Sequence, residues 1–491
     1  MPTFGSPFGE TLPSGAAGPL EMTRRQFLGR SGAGIGSAAL AMMLAGGAGA
    51  RPAGLPSGVR AIAPKAKRVI MLTQAGAPSQ IDLFDHKPGL VPLRGQLIPD
   101  SVRMGQRVTT MTSGQPQRLL PSQFAFAQHG RSGAWLSELV PHTANIADEI
   151  AIVKTVFTEQ INHAPAMTFF QTGHQIPGRP CLGAWTVYGL GSDNHDLPGF
   201  VVMVSKDVER TCDQPLYEHL WSAGFLPAEH QGVKLRAGRD PVLFLPNPPG
   251  VTREVRRGQL DDLTALNTAH HDVTGDPEIA ARIAQYELAF RMQVSVPDLV
   301  AIQSEPDETF DLYGQAARRP GSYGANCILA RRLAERGVRF IQLYHVGWDQ
   351  HRHLPEQLRI QCEHTDQASA ALVLDLKRRG LLDETLVVWG GEFGRSPVGQ
   401  GDIDSPDHGR DHHPRCFTMW MAGGGIRPGI SFGQTDEFGF NIASDPVHIH
   451  DLHATILHLL GIDHERLTFM SQGRRFRLTD VSGAVVPGLL A

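Results

Sequence analysis

Val338-Arg-Phe-Ile-Gln-Leu-Tyr344 runs straight into His345-Val-Gly-Trp-Asp349-Gln-His351-Arg-His353. The first part is β-branched and aromatic, as a strand buried on both faces requires. The second part is a loop dense in carboxylate and imidazole. In open α/β sheets, ligands gather outside the carboxyl ends of the strands, so this juxtaposition carries both a fold and a site. It recurs along the chain. Arg68-Val-Ile-Met-Leu-Thr73 passes through the turn Gln74-Ala-Gly-Ala-Pro-Ser79 into Gln80-Ile-Asp82-Leu-Phe-Asp85. Thr385-Leu-Val-Val-Trp389 passes into Gly-Gly-Glu392-Phe-Gly-Arg395-Ser396. Asp407-His408-Gly-Arg-Asp411-His412-His413 stands just before Cys416-Phe-Thr-Met-Trp-Met421.

Two further runs, Ile150-Ala-Ile-Val-Lys-Thr155 and Gly199-Phe-Val-Val-Met-Val204, read as strands. Helical patterns fall over 276–294, 326–336, 357–379 and 450–460. Strands separated by helices predict an α/β fold: a three-layer sandwich with a mostly parallel central sheet covered on both faces. Residues 67–491 read as a single domain. A stretch over 227–276, rich in Pro, Gly and polar residues at its start, reads as an insertion or cap.

The N-terminal region reads differently. Thr23-Arg24-Arg25-Gln26-Phe27-Leu28 has the form of a twin-arginine export signal. A weakly apolar run over 32–45 follows, then Ala48-Gly49-Ala50, a small-x-small cleavage site. Residues 1–50 are therefore expected to be a leader recognised by the twin-arginine translocation machinery, and 51–66 a flexible tether. Met22, directly before the signal, is a candidate start. The expected destination is the periplasm or the extracellular space. No span of membrane length follows the leader, and no Cys follows the cleavage site to carry a lipid anchor.

The rest of the composition narrows the functional class. Across 491 residues the net charge is −4, without the basic excess that nucleic-acid binding calls for. Hydrophobic residues make up 41% and charged ones 19%, enough to bury a large core. The five cysteines, at 181, 212, 327, 362 and 416, show no C-x-x-C spacing, which speaks against a thiolate zinc site. They read as scattered buried thiols, with a Cys181–Cys212 pair as the alternative. The metal-type residues are instead His, Asp and Glu.

Carboxylate oxygen and imidazole nitrogen together suit a divalent ion such as zinc, manganese or iron. If Asp349 and His353 lie on a helical turn, their four-residue offset puts them on one side of it. His412 would close that site from another loop. Glu392 and Asp82 would serve a second ion or orient the first ligands, and Arg395 would hold an anionic oxygen bidentately. A further constellation is Asn162-His163-Ala-Pro165, which opens a helix ending at Thr172-Gly173. A helix N-terminus favours an anion. For each segment the plain alternative is a solvated loop, a turn or an ordinary cap.

With these motifs go Ala77-Pro-Ser-Gln-Ile-Asp82-Leu-Phe-Asp85-His-Lys-Pro88, Gly390-Gly-Glu-Phe-Gly-Arg-Ser-Pro397, Gly409-Arg-Asp-His412 with Ala422-Gly-Gly-Gly425, and Asp451-Leu-His-Ala-Thr-Ile-Leu-His-Leu-Leu-Gly461-Ile-Asp463. On these residues the chain resembles the alkaline phosphatase and sulfatase superfamily. It is similar in particular to the sulfatase-like exported family called domain of unknown function 1501, over nearly the whole mature chain. The resemblance implies one or two ions; the metal expected is divalent, one of zinc, manganese, iron or calcium. It matches Asp349 and His353 to an Asp-x-x-x-His ligand pair and His412 to a late His. Glu392-Phe393 stands where an Asp-His or Asp-Asn ligand pair is expected. Asp82 lies several residues beyond the usual first acid, whose place is nearer Gln74.

The nucleophile segment departs most. Sulfatases read Cys-x-Pro-Ser-Arg, four residues, then Thr-Gly. Here His163-Ala-Pro165-Ala-Met167, four residues, then Thr172-Gly173 keeps the Pro and the spacing, but His163 replaces the Cys or Ser. The resemblance thus implies a metal-dependent hydrolase of phosphate or sulfate esters without formylglycine, with His163 as nucleophile or general acid. The alternatives are a catalytically inactive member that binds anionic glycans, and a different metal-dependent reaction in the same pocket.

Overall fold

The computed structural model describes residues 62–205, 214–238, 241–242 and 245–491. The leader, most of the tether and Cys212 lie outside the described residues. Lys65 and Ala66, at the end of the segment read as a tether, both donate backbone N–H groups to Leu459 O.

The strands that matter for the site are β1 (Arg68–Ala75), β2 (Ile150–Phe157), β3 (Phe200–Ser205), β4 (Val233–Lys234), β5 (Phe340–Val346), β6 (Thr385–Gly390), β7 (Gly394–Gln400), β8 (Gly409–His413), β9 (Phe417–Ala422), β10 (Ile430–Phe432) and β11 (Val447–His448). Among the described residues nine of these form one sheet in the order β10-β2-β9-β6-β1-β5-β3-β4, with β11 also paired to β2. Every pairing is parallel except those of β9, which runs antiparallel to both β2 and β6. The six runs read as strands each form one, with ends within two residues of expectation.

Both faces of the sheet are covered, which explains the unbroken apolar runs. Along β1, Ile70 and Leu72 enter one buried cluster while Val69, Met71 and Ala75 enter the other. This is the two-residue alternation of a strand. The first cluster packs against α6 (Tyr323–Glu335) and α7 (Leu354–Arg378), and the second against α2 (His163–Thr172), α3 (Leu182–Leu190) and α8 (Ile449–Leu459). A short helix, α1 (Gln80–Leu83), follows β1. The architecture is the expected α/β three-layer sandwich.

The stretch over 227–276 holds β4, loops, and α4 (Arg253–Thr274). α4 starts at the cap Thr252, whose side chain accepts from Val255 N, and pairs with α5 (Pro277–Val300). The helix expected over 276–294 thus extends to Val300, through Pro297. No helix among the described residues is long and apolar enough to cross a membrane. Cys181, Cys327, Cys362 and Cys416 are buried and form no disulfide.

Candidate metal centre

The parallel pairings of β1 with β5 and β6, and the two antiparallel pairings of β9 with β6 and β2, bring the carboxyl ends of β1, β2, β5 and β6 to one edge, and the chain leaves each in a loop. After β1, Gly76 sits at φ 111°, a conformation suited to glycine. A Cβ there would strike the backbone of Trp348 and Asp349. Its N–H donates to the Glu392 carboxylate at 3.1 and 3.3 Å, so the loops after β1, β5 and β6 meet at this point. Gly409 opens β8 against the backbone of His351 and Arg352, where a side chain has no room. The hairpin β7–β8 is thereby laid against the loop after β5.

Four side chains converge from three segments: the start of α2, the loop after β5, and β8. His163, Asp349, His351 and His412 each present one ligand atom, all within 4.8 Å of one another. Asp349 Oδ1 lies 3.1 Å from His163 Nε2, 2.9 Å from His351 Nε2 and 3.6 Å from His412 Nε2. His351 Nε2 and His412 Nε2 are 2.9 Å apart. His163, Asp349 and His412 are buried, and His351 is nearly so.

What the opposite ring nitrogens do decides the character of the cluster. His163 Nδ1 is 2.6 Å from Glu392 Oε1, His351 Nδ1 is 2.7 Å from Gln400 Oε1, and His412 Nδ1 is 2.6 Å from the Ile161 carbonyl. All three partners are acceptors, so each Nδ1 carries its proton and donates. The three Nε2 lone pairs are left facing one another and a carboxylate. Metal-bound histidines are held in this way, the outer N–H fixed by a carboxylate or carbonyl. His163 Nε2 is buried and has no aligned hydrogen-bond partner. The donor set therefore fits a divalent cation.

The electrostatics agree. Burial opposes ionisation of Asp349, but His163, His351, His412 and Arg395 outweigh it and hold the carboxyl far below its ordinary range. Burial would also lower the pKa of His163, yet Asp349 and Glu392 reverse this and raise it. The two carboxylates demand positive charge there, which a second ring proton or a cation can supply. His412 is pushed down to about 4, first by burial and then by the charges of Arg395, His163 and His351, and so stays a neutral ligand.

The other expected site residues fall into place around this centre. Arg395 is fully buried and donates to Asp349 Oδ1 at 2.7 Å. Its remaining donors reach the carbonyls of Gly76, Ala77, Trp348 and Arg410. It orients Asp349 and the loops rather than offering a free fork to an anion. Asp82 is not in the cluster. It is buried on α1, where Ser79 donates to it at 2.6 Å and Arg410 at 2.7 Å. Burial raises its pKa, but Arg410 more than compensates and lowers it. Asp82 thus anchors β8 two residues from His412.

His353 is also outside the cluster, because residues 349–353 do not form the expected helical turn. They run irregularly until α7 starts, and His353 sits at its N-cap with φ 51°. Its ring pairs with Asp407 at 2.9 Å and is half exposed. His351, which sequence reasoning passed over, takes the position beside Asp349. The signal was its i, i+2 spacing from Asp349, which on an extended chain shares a side.

Two cavities flank the centre. One of about 730 Å³ is lined by Asp349, His351, Arg352, His353, Gln357 and Gln400, among others. A second, of about 600 Å³, includes His412 and Asp411 in its wall. His163 does not line either, but borders a crevice of about 20 Å³ with Gln214 and Tyr217.

Among solved structures the chain aligns with the PsFucS1 sulfatase from Pseudoalteromonas sp. at 11% identity, covering 87% of this chain and 72% of that one, with TM-score 0.36. It aligns with a TAB5 alkaline phosphatase mutant with Mg bound in its M3 site at 14% identity, covering 81% and 99%, with TM-score 0.33. It aligns with the lipoteichoic acid synthase LtaP from Listeria monocytogenes at 9% identity, covering 86% and 78%, with TM-score 0.32. No curated protein matches the chain. The family model described as "Protein of unknown function (DUF1501)" matches residues 66–490. With its whole sheet and all four converging side chains inside that match, the chain belongs to the DUF1501 family.

Proposed function

We propose that this protein holds one divalent metal ion through His163 Nε2, Asp349 Oδ1, His351 Nε2 and His412 Nε2, and hydrolyses phosphate or sulfate esters. The observation that carries the reading is the set of Nδ1–H donations to Glu392, Gln400 and Ile161, which turns three lone pairs inward. Three imidazoles and one carboxylate favour zinc, manganese or iron over calcium, which takes six to eight oxygens. A bound ion would polarise an ester oxygen and lower the pKa of water.

The chain's own groups prepare that chemistry. Arg395 fixes Asp349 Oδ1, and Gln214 donates to Oδ2 at 2.6 Å. The carboxylate cannot rotate without breaking both bonds. The cavity over Asp349 and His351 is lined mainly by polar side chains, with Met111 the main apolar exception. Arg352 stands exposed in that wall and offers a cation to an anionic ester. His163 serves this reading as a ligand. Its Nδ1 is committed to Glu392, and its Nε2 faces Asp349 rather than the cavity. Attack by a histidine nitrogen is then unnecessary.

The test is elemental mass spectrometry of protein purified without chelators, followed by a screen of aryl phosphates and aryl sulfates. About one equivalent of metal is expected, lost together with turnover in Asp349→Ala and His412→Ala. Absence of metal, and none taken up on titration, overturns the reading. Metal without turnover would favour a binding role. The Thr23–Leu28 signal further supports export by the twin-arginine route. A mature chain beginning near Arg51, detected by mass spectrometry in the periplasm or medium, is the expected outcome.

A further inference from the structure

A cavity of about 240 Å³ opens where β3 and β4 meet the end of α5 and the start of α6. None of the residues lining it belongs to the metal centre or to the two cavities that flank that centre. Most of its wall is aliphatic. Met203, Leu235, Ile302 and Ala325 are buried, and Val300 and Leu329 are partly buried and packed on the same core. Gly321 shapes the mouth. It sits at φ 83° just before the Ser322 cap of α6, and a Cβ there would come within 2.7 Å of the Ala237 side chain. The segment after β4 is thereby laid against the first turn of α6. A volume of this size is several times the roughly 30 Å³ that a water molecule takes in the liquid, so a phenyl ring or a short acyl chain has room.

The polar groups in this wall are few, and two of them are idle. Asn326 is only 5% exposed, yet its carboxamide makes no hydrogen bond among the described residues. A buried carboxamide offers two donors and an acceptor, and a folded chain seldom leaves all of them unmet. Arg236 is exposed where it lines the cavity, and its guanidinium makes no ion pair or hydrogen bond among the described residues. Gln303, by contrast, is committed, its side-chain amide donating to the Arg318 carbonyl at 2.9 Å. No carboxylate stands among the described lining residues, so the wall carries the single positive charge of Arg236. The N-terminus of α6, beside Asn326, adds the positive end of a helix dipole.

We infer that this cavity binds a small apolar monocarboxylate, with its carboxylate between Arg236 and Asn326 and its hydrocarbon part against the aliphatic wall. One guanidinium takes a carboxylate bidentately and matches its one negative charge. A dianion would keep an unpaired charge among aliphatic side chains, which is costly. The inference stands apart from the hydrolase reading, since it needs neither the ion nor turnover.

The experiment is calorimetric titration of the full chain with phenylacetate and with phenylacetamide, which has nearly the same shape and no charge. Five proteins are compared: unaltered, Arg236→Gln, Asn326→Leu, Arg94→Gln and Asp349→Ala. Phenylacetate is expected to bind the unaltered protein saturably at one site, about tenfold or more tighter than the amide, the scale of a charge-assisted hydrogen bond. Arg236→Gln should lose that preference and keep its melting temperature, because the side chain it alters is solvent-exposed. Asn326→Leu, which replaces the carboxamide by an apolar group of similar volume, should weaken phenylacetate by a similar factor. Arg94→Gln, which removes an exposed arginine from an ion pair with Asp404 elsewhere, should bind as the unaltered protein does. Asp349→Ala should also bind phenylacetate normally, since the cavity shares no residue with the metal centre. No saturable binding overturns the inference, as does equal affinity for the two ligands or a preference that survives in Arg236→Gln. A loss in Arg94→Gln as large as in Arg236→Gln would reveal unspecific charge attraction and overturn it too. A loss confined to Asp349→Ala would place the carboxylate at the metal centre and overturn the cavity as its site.

Discussion

At the scale of single residues the site depends on groups that would not touch the ion itself. Glu392 is fully buried, accepts the His163 Nδ1 proton and also takes the Gly76 N–H. Glu392→Gln keeps the shape and removes the charge that makes His163 a strong donor. Outer carboxylates of this kind are worth about 10- to 100-fold in metal affinity. A loss of that size is expected in competition titration against a chelator, and unchanged affinity would show that Glu392 is only structural. Gly409 makes the complementary case through shape. Its missing Cβ is what lets β8 lie on the His351 backbone. Gly409→Ala is expected to push His351 away from His412 and abolish metal uptake, whereas His353→Ala should retain it. Uptake by Gly409→Ala equal to that of the parent would refute this account.

At the scale of elements, what the sequence disclosed follows from periodicity. The strands were legible because both faces of the sheet are covered, so they appear as unbroken apolar runs ending in polar loops. α2 was legible from Asn162 at its start and from Thr172-Gly173 at its end. The residues outside the central sheet were harder to place. Asp349 and His412 stand in the centre, but whether a loop curls or extends is set by tertiary contacts such as that of Gly409 with His351. This is why His353 was favoured over His351. Asp82 looked like a metal or outer ligand and Arg395 like a clamp for an anionic oxygen because charge at a strand end is ambiguous, and their partners, Arg410 and Asp349, lie far off in sequence. α8 gives an element-scale prediction. His453 is wholly buried and donates to the Phe170 carbonyl at 2.8 Å, and burial pushes its pKa down to about 3. The unfolded chain takes up this proton below about 6.5, while the folded chain does not. The resulting stability is fully present above that value and declines by about 1.4 kcal/mol per pH unit as the pH falls towards 3. His453→Gln keeps a donor for Phe170 and removes the titration. Between pH 7 and 5 the parent should therefore lose about 2 kcal/mol more than the variant in urea unfolding. Parallel losses would place the acid sensitivity elsewhere.

For the molecule as a whole, the centre would act as a fastener as well as a site once it held an ion. His163 follows β2, Asp349 and His351 follow β5, and His412 belongs to β8. β5 and β2 lie on opposite sides of β1, with β6 and β9 between β1 and β2. An ion held by all four ligands would cross-link chain segments spread over some 250 residues, which in the unfolded chain cannot be gathered at similar cost. It would also add positive charge where two buried carboxylates, Asp349 and Glu392, flank His163, beyond that which Arg395 already brings to Asp349. A ligand that binds only the folded state stabilises it by RT ln(1 + [L]/Kd), about 4 kcal/mol at a thousandfold excess over Kd. For a domain of this size that corresponds to a rise of a few degrees in the unfolding temperature. Calorimetry before and after chelation is therefore expected to show a fall of that order, reversed by adding back zinc, manganese or iron. Asp349→Ala should unfold at a temperature that chelator does not change. Restoration by calcium but by none of the three transition metals would contradict the imidazole-rich donor set. A parent protein indifferent to chelator, with its metal verified as removed, would show that the four segments are held by packing alone.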